Sequence, residues 1–269
     1  MNPVESAIAV AQFAPVADSA SNLASIRELT ERAVSRGATL VVFPEYSSYF
    51  EAELGAAFVA ASEPLDGAFV TGLAALATEF GVHLVAGLVE RTDDTERFSN
   101  TIVAVDPAGN LVATYRKTHL YDAFGARESD WVVAGALDTP ETFVWSGFTV
   151  GLQTCYDVRF PEVTRRIVDA GADLVLIPAE WVRGPLKEHH WRTLVTARAI
   201  ENTIYVAAAD QAPPVGAGNS MVVDPMGVEI ATIGESTDVA VAWLSATRVS
   251  ETRVVNPALR LRRFVVAVR

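Results

Sequence analysis

Apolar positions along this chain switch repeatedly between an unbroken run and a helical spacing. Ala7 to Phe13 is an almost continuous apolar run, the pattern of a strand buried on both faces. Ser19 to Arg36 then sets Leu23, Ile26, Leu29, Ala33 and Val34 at helical spacing, and Gly37 takes the usual place after a helix end. Another buried run, Thr39 to Phe43, stops at Pro44-Glu45. Strand, helix and strand in this order predict a parallel pair. The plan returns later: a strand over Phe148 to Thr154, a helix over Glu162 to Ala170, and a strand over Asp173 to Ile177 ending at Pro178.

Gly37-Ala38-Thr39-Leu40, leading to Pro44-Glu45, is matched by Gly171-Ala172-Asp173-Leu174, leading to Pro178-Ala179-Glu180. The two halves are either related layers or convergent uses of a common α/β pattern. Helices are also expected over Ala68 to Phe80, stopped by Gly81, and over His189 to Glu201, each followed by a strand, Val82 to Val89 and Thr203 to Ala209. Asp106-Pro107-Ala108-Gly109-Asn110 and Asp224-Pro225-Met226-Gly227 each separate two apolar runs, as hairpin turns do. No linker or charge block divides the chain, so residues 1–269 read as a single domain of the α/β class. Residues 255–269 carry Arg260, Arg262 and Arg263 before an apolar end, and read either as a tail packing on a partner subunit or as a frayed terminus.

Charge and composition narrow the function classes. The 269 residues carry a net charge of −12, which argues against non-specific binding to nucleic acid or to an anionic membrane. No apolar run reaches membrane-spanning length without charges, and Met1 to Ser6 show no basic region of a signal peptide. A single cysteine excludes an internal disulfide and suggests a reducing, cytoplasmic compartment. No glycine-rich nucleotide loop is visible, so no cofactor is expected. His189 and His190 are adjacent, so on a helix they diverge, and no metal-ligand spacing occurs; a metal site is not expected either.

The sole cysteine, Cys155, follows a strand and precedes a helix, within Cys155-Tyr156-Asp157-Val158-Arg159-Phe160-Pro161-Glu162. One reading makes it a small buried hydrophobe. The other makes it a nucleophile: a thiol at a strand end near a helix start, among polar neighbours, is expected to have a lowered pKa. In α/β sheets ligands bind beyond the carboxyl ends of strands. Glu45, Cys155 and the stretch Pro178 to Trp181 lie at such ends, and Asn110 to Tyr115 runs into Arg116-Lys117-Thr118-His119. Taken singly, Glu45, Lys117 and Glu128 would be read as solvated surface charges, and a cysteine hydrolase with His119 or His83 as base is an alternative.

Phe43-Pro44-Glu45, Tyr115-Arg116-Lys117-Thr118-His119-Leu120 and the Cys155 motif, in this order across nearly the whole chain, resemble the nitrilase superfamily of carbon-nitrogen hydrolases. The resemblance implies a four-layer α-β-β-α sandwich and a catalytic Glu-Lys-Cys triad, here Glu45, Lys117 and Cys155. The family's supporting glutamate falls on Glu128, in a loop that varies within the family. Tyr121 to Asp130 is similar to the Nit-type branch of ω-amidases and deaminated glutathione amidases, and Tyr156-Asp157 after the cysteine disfavours true nitrilases.

The reaction implied is hydrolysis of a small, carboxylate-bearing aliphatic amide to acid and ammonia through a thioester. N-carbamoyl amino acid or polyamine-type amidohydrolases and general aliphatic amidases are alternatives. A weakly active interaction protein on the same fold is a non-enzyme alternative. Tyr156, Arg159, Trp181 and Arg183 are candidates for binding substrate, an arginine fork suiting a carboxylate. Against this, Arg159 and Arg183 could be structural or solvated, Trp181 and Trp191 could be core, and Arg198 with Glu201 could be a helix pair. Glu180 is expected to be structural or pocket-lining. The expected partners are a small-molecule amide and water, with assembly as a homodimer or larger homo-oligomer implied by the resemblance.

Overall fold

A computed structural model describes residues 5–268. Met1–Val4, most of the stretch read for a leader, and the terminal Arg269 lie outside the described residues. The first half supplies strands β1 (Glu5–Gln12), β2 (Leu40–Val42), β3 (His83–Arg91), β4 (Phe98–Val105) and β5 (Leu111–Arg116). The second supplies β6 (Thr142–Trp145), β7 (Phe148–Leu152), β8 (Leu174–Ala179), β9 (Tyr205–Asp210), β10 (Met221–Val223), β11 (Glu229–Thr232) and β12 (Asp238–Ser245). The helices are α1 (Ser19–Ser35), α2 (Ala56–Ala61), α3 (Ala68–Phe80), α4 (Pro161–Asp169), α5 (Lys187–Asn202) and α6 (Ala246–Val255).

The strands form two six-stranded sheets, ordered β12-β1-β2-β3-β4-β5 and β11-β10-β9-β8-β7-β6. Read from β12 and from β6, both sheets show one pairing sequence: antiparallel, parallel, parallel, antiparallel, antiparallel. In the first sheet α1, and then α2 with α3, connect the three parallel strands; in the second α4 and α5 do. The halves are therefore topological repeats, and Glu45 and Glu180 occupy equivalent places beyond β2 and β8.

The sheets pack face to face through Ile8, Val10, Leu40 and Val42 of one and Leu152, Leu174, Leu176 and Val222 of the other. Alternate residues of the same strands point outward: Ala9, Ala11 and Val41 meet α1 and α3, and Val175, Ile177 and Val206 meet α4 and α5. Strands covered on both faces need apolar side chains at every position, which is why the runs are unbroken. The result is the α-β-β-α sandwich.

The elements not anticipated are α2, β6, β12 and α6. β6 is only four residues long and α2 only six, so each carries few apolar positions from which to read a period. The C-terminal tail crosses its own chain. Arg262 pairs with Asp169 at the end of α4, Leu259 packs against the outer core beside α4 and α5, and Val266 to Val268 line a groove with His119, Phe160 and Val163.

One close approach fixes the site. β3 passes so near the turn after β2 that a Cβ on Gly87 would lie 2.3 Å from the Tyr46 nitrogen and 2.7 Å from the Glu45 carbonyl carbon. Tyr46 itself holds a left-handed φ of 58°. A side chain at Gly87 would have to displace backbone. Gly87→Ala is expected to destabilise the fold by about 1–3 kcal/mol, the usual cost of overpacking, read as a lower denaturation midpoint with unchanged denaturant dependence.

Candidate active site

The four residues expected at the centre come from four separate strand or turn ends and meet in one place. Glu45 follows β2, Lys117 follows β5, Cys155 follows β7, and Glu128 opens the short turn Glu128–Asp130. All four are buried. The Lys117 ammonium donates to Glu45 Oε1 and to Glu128 Oε1, each at 3.0 Å. Asn100, on β4, donates to the same two carboxylate oxygens. The other Glu45 oxygen accepts from the Glu180 backbone N–H at 2.6 Å, and Gln211 donates to the Glu45 carbonyl at 2.9 Å. Glu128 accepts from the Tyr46 hydroxyl at 2.8 Å and from the Tyr121 backbone N–H at 2.6 Å. A buried ammonium and two buried carboxylates are thus fully hydrogen-bonded, the condition for keeping charges out of water.

The electrostatics follow from that packing. Burial raises the Glu45 pKa above the usual carboxylate range, with Lys117 pulling it down and Glu128 adding to the rise. Burial works against the Lys117 charge, yet Glu128 and Glu45, with Cys155 beyond them, hold its pKa well above the ordinary lysine value.

Cys155 departs from expectation. Burial, then the Glu45 carboxylate, push its pKa well up, and the opposing pull of Lys117 does not reverse this. The resting sulfur is therefore a thiol, which donates to the Glu180 carbonyl at 3.3 Å. The expected lowering for a thiol near a helix start fails because the site is dry and carries adjacent negative charge. The position itself is as expected: Cys155 begins the 3-10 turn Cys155–Arg159 with a left-handed φ of 41°, a strained backbone of the kind found at functional sites.

Comparison with known proteins now decides the family. The carbon-nitrogen hydrolase model matches residues 7–254. The chain belongs to the carbon-nitrogen hydrolases, within the nitrilase superfamily. A deaminated glutathione amidase of Escherichia coli O157:H7 is 47% identical over 165 residues, a match spanning 61% of this chain and 62% of that protein. The NitFhit protein of C. elegans superposes with a TM-score of 0.87 at 30% identity, over 98% of this chain and 66% of that one. The NitN amidase of Nesterenkonia sp. AN1 gives 0.82 at 29% identity, over 96% of each chain. A mutant of the Nesterenkonia amidase carries the acetamide moiety of fluoroacetamide covalently on its active site cysteine. The chain is a hydrolase of the amidase type.

A second set of contacts locks the motifs of this hydrolase together. Asp157, wholly buried two residues after Cys155, accepts from the Tyr115 hydroxyl at 2.8 Å, the Thr118 hydroxyl at 2.9 Å and the His119 backbone N–H at 3.0 Å. The stretch carrying Lys117 is thereby tied to the cysteine turn. His119 Nδ1 also lies 2.7 Å from Asp157, and its ring stacks on Phe160 with centroids 3.7 Å apart. His119 thus serves this brace, and His83 stacks on Phe143 at the far end of β3; neither lines the cavity beside Cys155. Arg198 donates to the Val158 carbonyl at 2.9 Å and pairs with Glu201, so the expected helix pair also steadies the cysteine turn.

Above Cys155 opens a cavity of about 520 Å³, walled by Tyr156 and Trp181 among others. The two arginines expected there are elsewhere. Arg183 pairs with Glu235 at 2.8 Å and with Glu188, and is not on the cavity wall. The Arg159 guanidinium lies over the Trp181 and Phe124 rings, near His190, and does not line the cavity either. Glu180 does line it, as its place beyond β8 suggested. Asn100, Tyr46 and Lys187 were not singled out. Asn100 sits in an apolar strand and Lys187 beside a Gly-Pro turn; their only signal is a polar group at a strand or helix end. Among the described residues no group of three or more His, Cys, Asp and Glu could hold a metal, and no helix is long and apolar enough to cross a membrane.

Asp157→Ala should remove the carboxylate acceptor of the half-buried Tyr115 and Thr118 hydroxyls, at about 1–3 kcal/mol. The expected result is a lower unfolding midpoint, together with loss of whatever activity depends on the register of Lys117 and Cys155.

Proposed function

We propose that this protein hydrolyses a small, carboxylate-bearing aliphatic amide to acid and ammonia, with Cys155 as nucleophile. The observation that carries the reading is the Cys155 sulfur set beside the closed Glu45–Lys117–Glu128 cluster on the wall of a ligand-sized cavity. Cys155 Sγ attacks the amide carbonyl while its proton passes to Glu45. Lys117 and the Tyr156 backbone N–H face the oxyanion that develops. Glu45 then gives its proton to the departing nitrogen, leaving ammonia and a thioester on Cys155. A water, deprotonated by Glu45, attacks the thioester, and the proton returns to the leaving sulfur as the acid is released. Glu128 fixes the Lys117 ammonium. Tyr156 and Trp181 shape the wall against which the substrate lies. The covalent adduct on the cysteine of the Nesterenkonia amidase supports the nucleophile, and the relatives named as deaminated glutathione amidases support an amide of an organic acid.

A raised Glu45 pKa has a defined kinetic sign. A general base works deprotonated, so activity is expected to fall as pH drops through a value above that of an ordinary carboxylate. In Glu45→Gln that acid limb should vanish along with about 10²–10⁴-fold of the rate, in both acylation and deacylation. Cys155→Ala should release no ammonia while keeping the wild-type unfolding midpoint. Ammonia release is to be screened over ω-amide, glutamine-like, N-carbamoyl and nitrile substrates, with intact-mass detection of an acyl adduct on Cys155. Wild-type turnover by the alanine variant would end the thiol mechanism. Preferential cleavage of N-carbamoyl compounds, or equal cleavage of neutral aliphatic amides, would transfer the assignment to those activities.

The finer setting follows the same reading. A reducing cytoplasm suits a mechanism that needs the one thiol reduced. Val254 and Val255 at the end of α6, and Leu261, Phe264 and Val265 in the tail, are exposed apolar side chains, and we infer that they contribute to a homo-oligomeric contact. Sedimentation should give a dimer or larger species; a monomer mass at every concentration would refute the contact.

A further inference from the structure

Three cationic side chains line the cavity that holds Cys155: Lys117, Arg127 and Lys187. Two of them are matched. Lys117 lies between Glu45 and Glu128, and Arg127 sits exposed at the mouth, 3.5 Å from Asp130. Lys187 is different. It opens α5, is only 7% exposed, and donates from Nζ to the Tyr121 hydroxyl at 2.9 Å. Its ammonium lies 4.9, 4.8 and 5.0 Å from the ring centroids of Tyr121, Phe124 and Trp181. Among the described residues no carboxylate forms an ion pair with it. The Glu180 carboxyl is close enough to feel this charge but forms no ion pair with it, and burial and the neighbouring Glu45 push its pKa well up.

A cation held in a cage of ring faces, with one neutral hydroxyl as its hydrogen-bond partner, is stabilised by the rings but not neutralised. A buried, unpaired charge is costly, so an anion that reaches it gains more than it would at the surface. We propose that Lys187 is the specificity-determining anchor for a carboxylate on the amide substrate, a role that rests on the amidase reading. One ammonium with the Tyr121 hydroxyl beside it matches a single carboxylate. The acidic cavity residues Glu51, Glu53 and Asp130 oppose a multiply charged anion such as a phosphate. The role expected for Arg159 and Arg183 thus passes to a lysine on the cavity wall itself, without an ion-pair partner among the described residues.

The test compares the half-amide of a small dicarboxylic acid with its methyl ester in wild type, Lys187→Met and Lys187→Arg. Wild type should prefer the acid in kcat/KM. Lys187→Met should shrink the acid-to-ester preference at least about tenfold, mainly through KM, as loss of a buried charge partner does. Lys187→Arg should keep part of the preference, and Lys187→Gln repeats the comparison should the Met variant not fold. Binding of the free dicarboxylate to Cys155→Ala, by calorimetry, should weaken when Lys187→Met is added, a readout that needs no turnover. Equal kcat/KM for acid and ester in wild type, or an unchanged ratio in Lys187→Met, overturns the anchor while leaving the amidase reading in place. Failure of wild type to cleave any amide, with dicarboxylate binding still dependent on Lys187, overturns the amidase reading and leaves the anchor standing.

Discussion

The constraint on which this structure turns is the burial of the Lys117 ammonium between two carboxylates. Removing three charges from water is expensive, and their attraction offsets the cost only when geometry is good and every remaining lone pair is satisfied. Here Glu45 and Glu128 take donors from Asn100, Tyr46, and the backbone of Tyr121 and Glu180 as well as from Lys117. Those partners come from β4, from the turn after β2, from the loop after β5 and from the end of β8. The cluster can be satisfied only when both halves of the sandwich are assembled, so the site and the fold specify one another. Asp157 extends the same logic from the cysteine turn to the segment that carries Lys117.

The pseudo-repeat explains why such a site lies where it does. Each half carries a proline and, one or two residues on, a glutamate at the end of its central parallel strand, Pro44-Glu45 and Pro178-Ala179-Glu180, and the sandwich brings the two ends together. Symmetry supplies the place; sequence divergence assigns different work. Glu45 is hydrogen-bonded through both oxygens, whereas Glu180 contributes its backbone, its N–H to Glu45 and its carbonyl to the Cys155 thiol, and has a side-chain oxygen buried without a partner.

Much of this was legible in the chain, for identifiable reasons. Unbroken runs such as Ala7 to Phe13 forecast strands covered on both faces, and the observed β1 with its α1 partner fits them within a residue or two. Three short motifs placed Glu45, Lys117 and Cys155 at strand ends, and Glu128 fell where the resemblance put it. Four features were hidden. Short edge elements such as β6 and α2 carry too few apolar positions to show a period. Arg159 and Arg183 are near the nucleophile in sequence or strand order, but side-chain direction is a property of the folded turn. Lys187 is one lysine among many until three rings from separate segments close around it. The thiol pKa depends on burial and on Glu45, 110 positions away in the chain, and no local reading of a strand-to-helix turn contains either.

That last miss bears on how the proposed chemistry runs. A thiol already ionised at rest would add another negative charge beside Glu45 and Glu128 in a dry site. With the proton on sulfur, the pocket around Lys117 starts with two carboxylates and one ammonium. As Sγ attacks, the proton moves to Glu45 and a negative charge grows on the carbonyl oxygen instead. The total charge of the buried cluster is unchanged; only its position shifts, from Glu45 toward the oxyanion. Burial therefore does not oppose this step as it would oppose creation of a new ion. Lys117, held within reach of Glu45, faces the charge both before and after it moves, so little reorganisation is required of the protein. The raised pKa of the thiol and the raised pKa of Glu45 are then two expressions of one environment: burial disfavours a charge on either group, and a carboxylate that holds its proton more readily is the better acceptor for the proton of the attacking thiol.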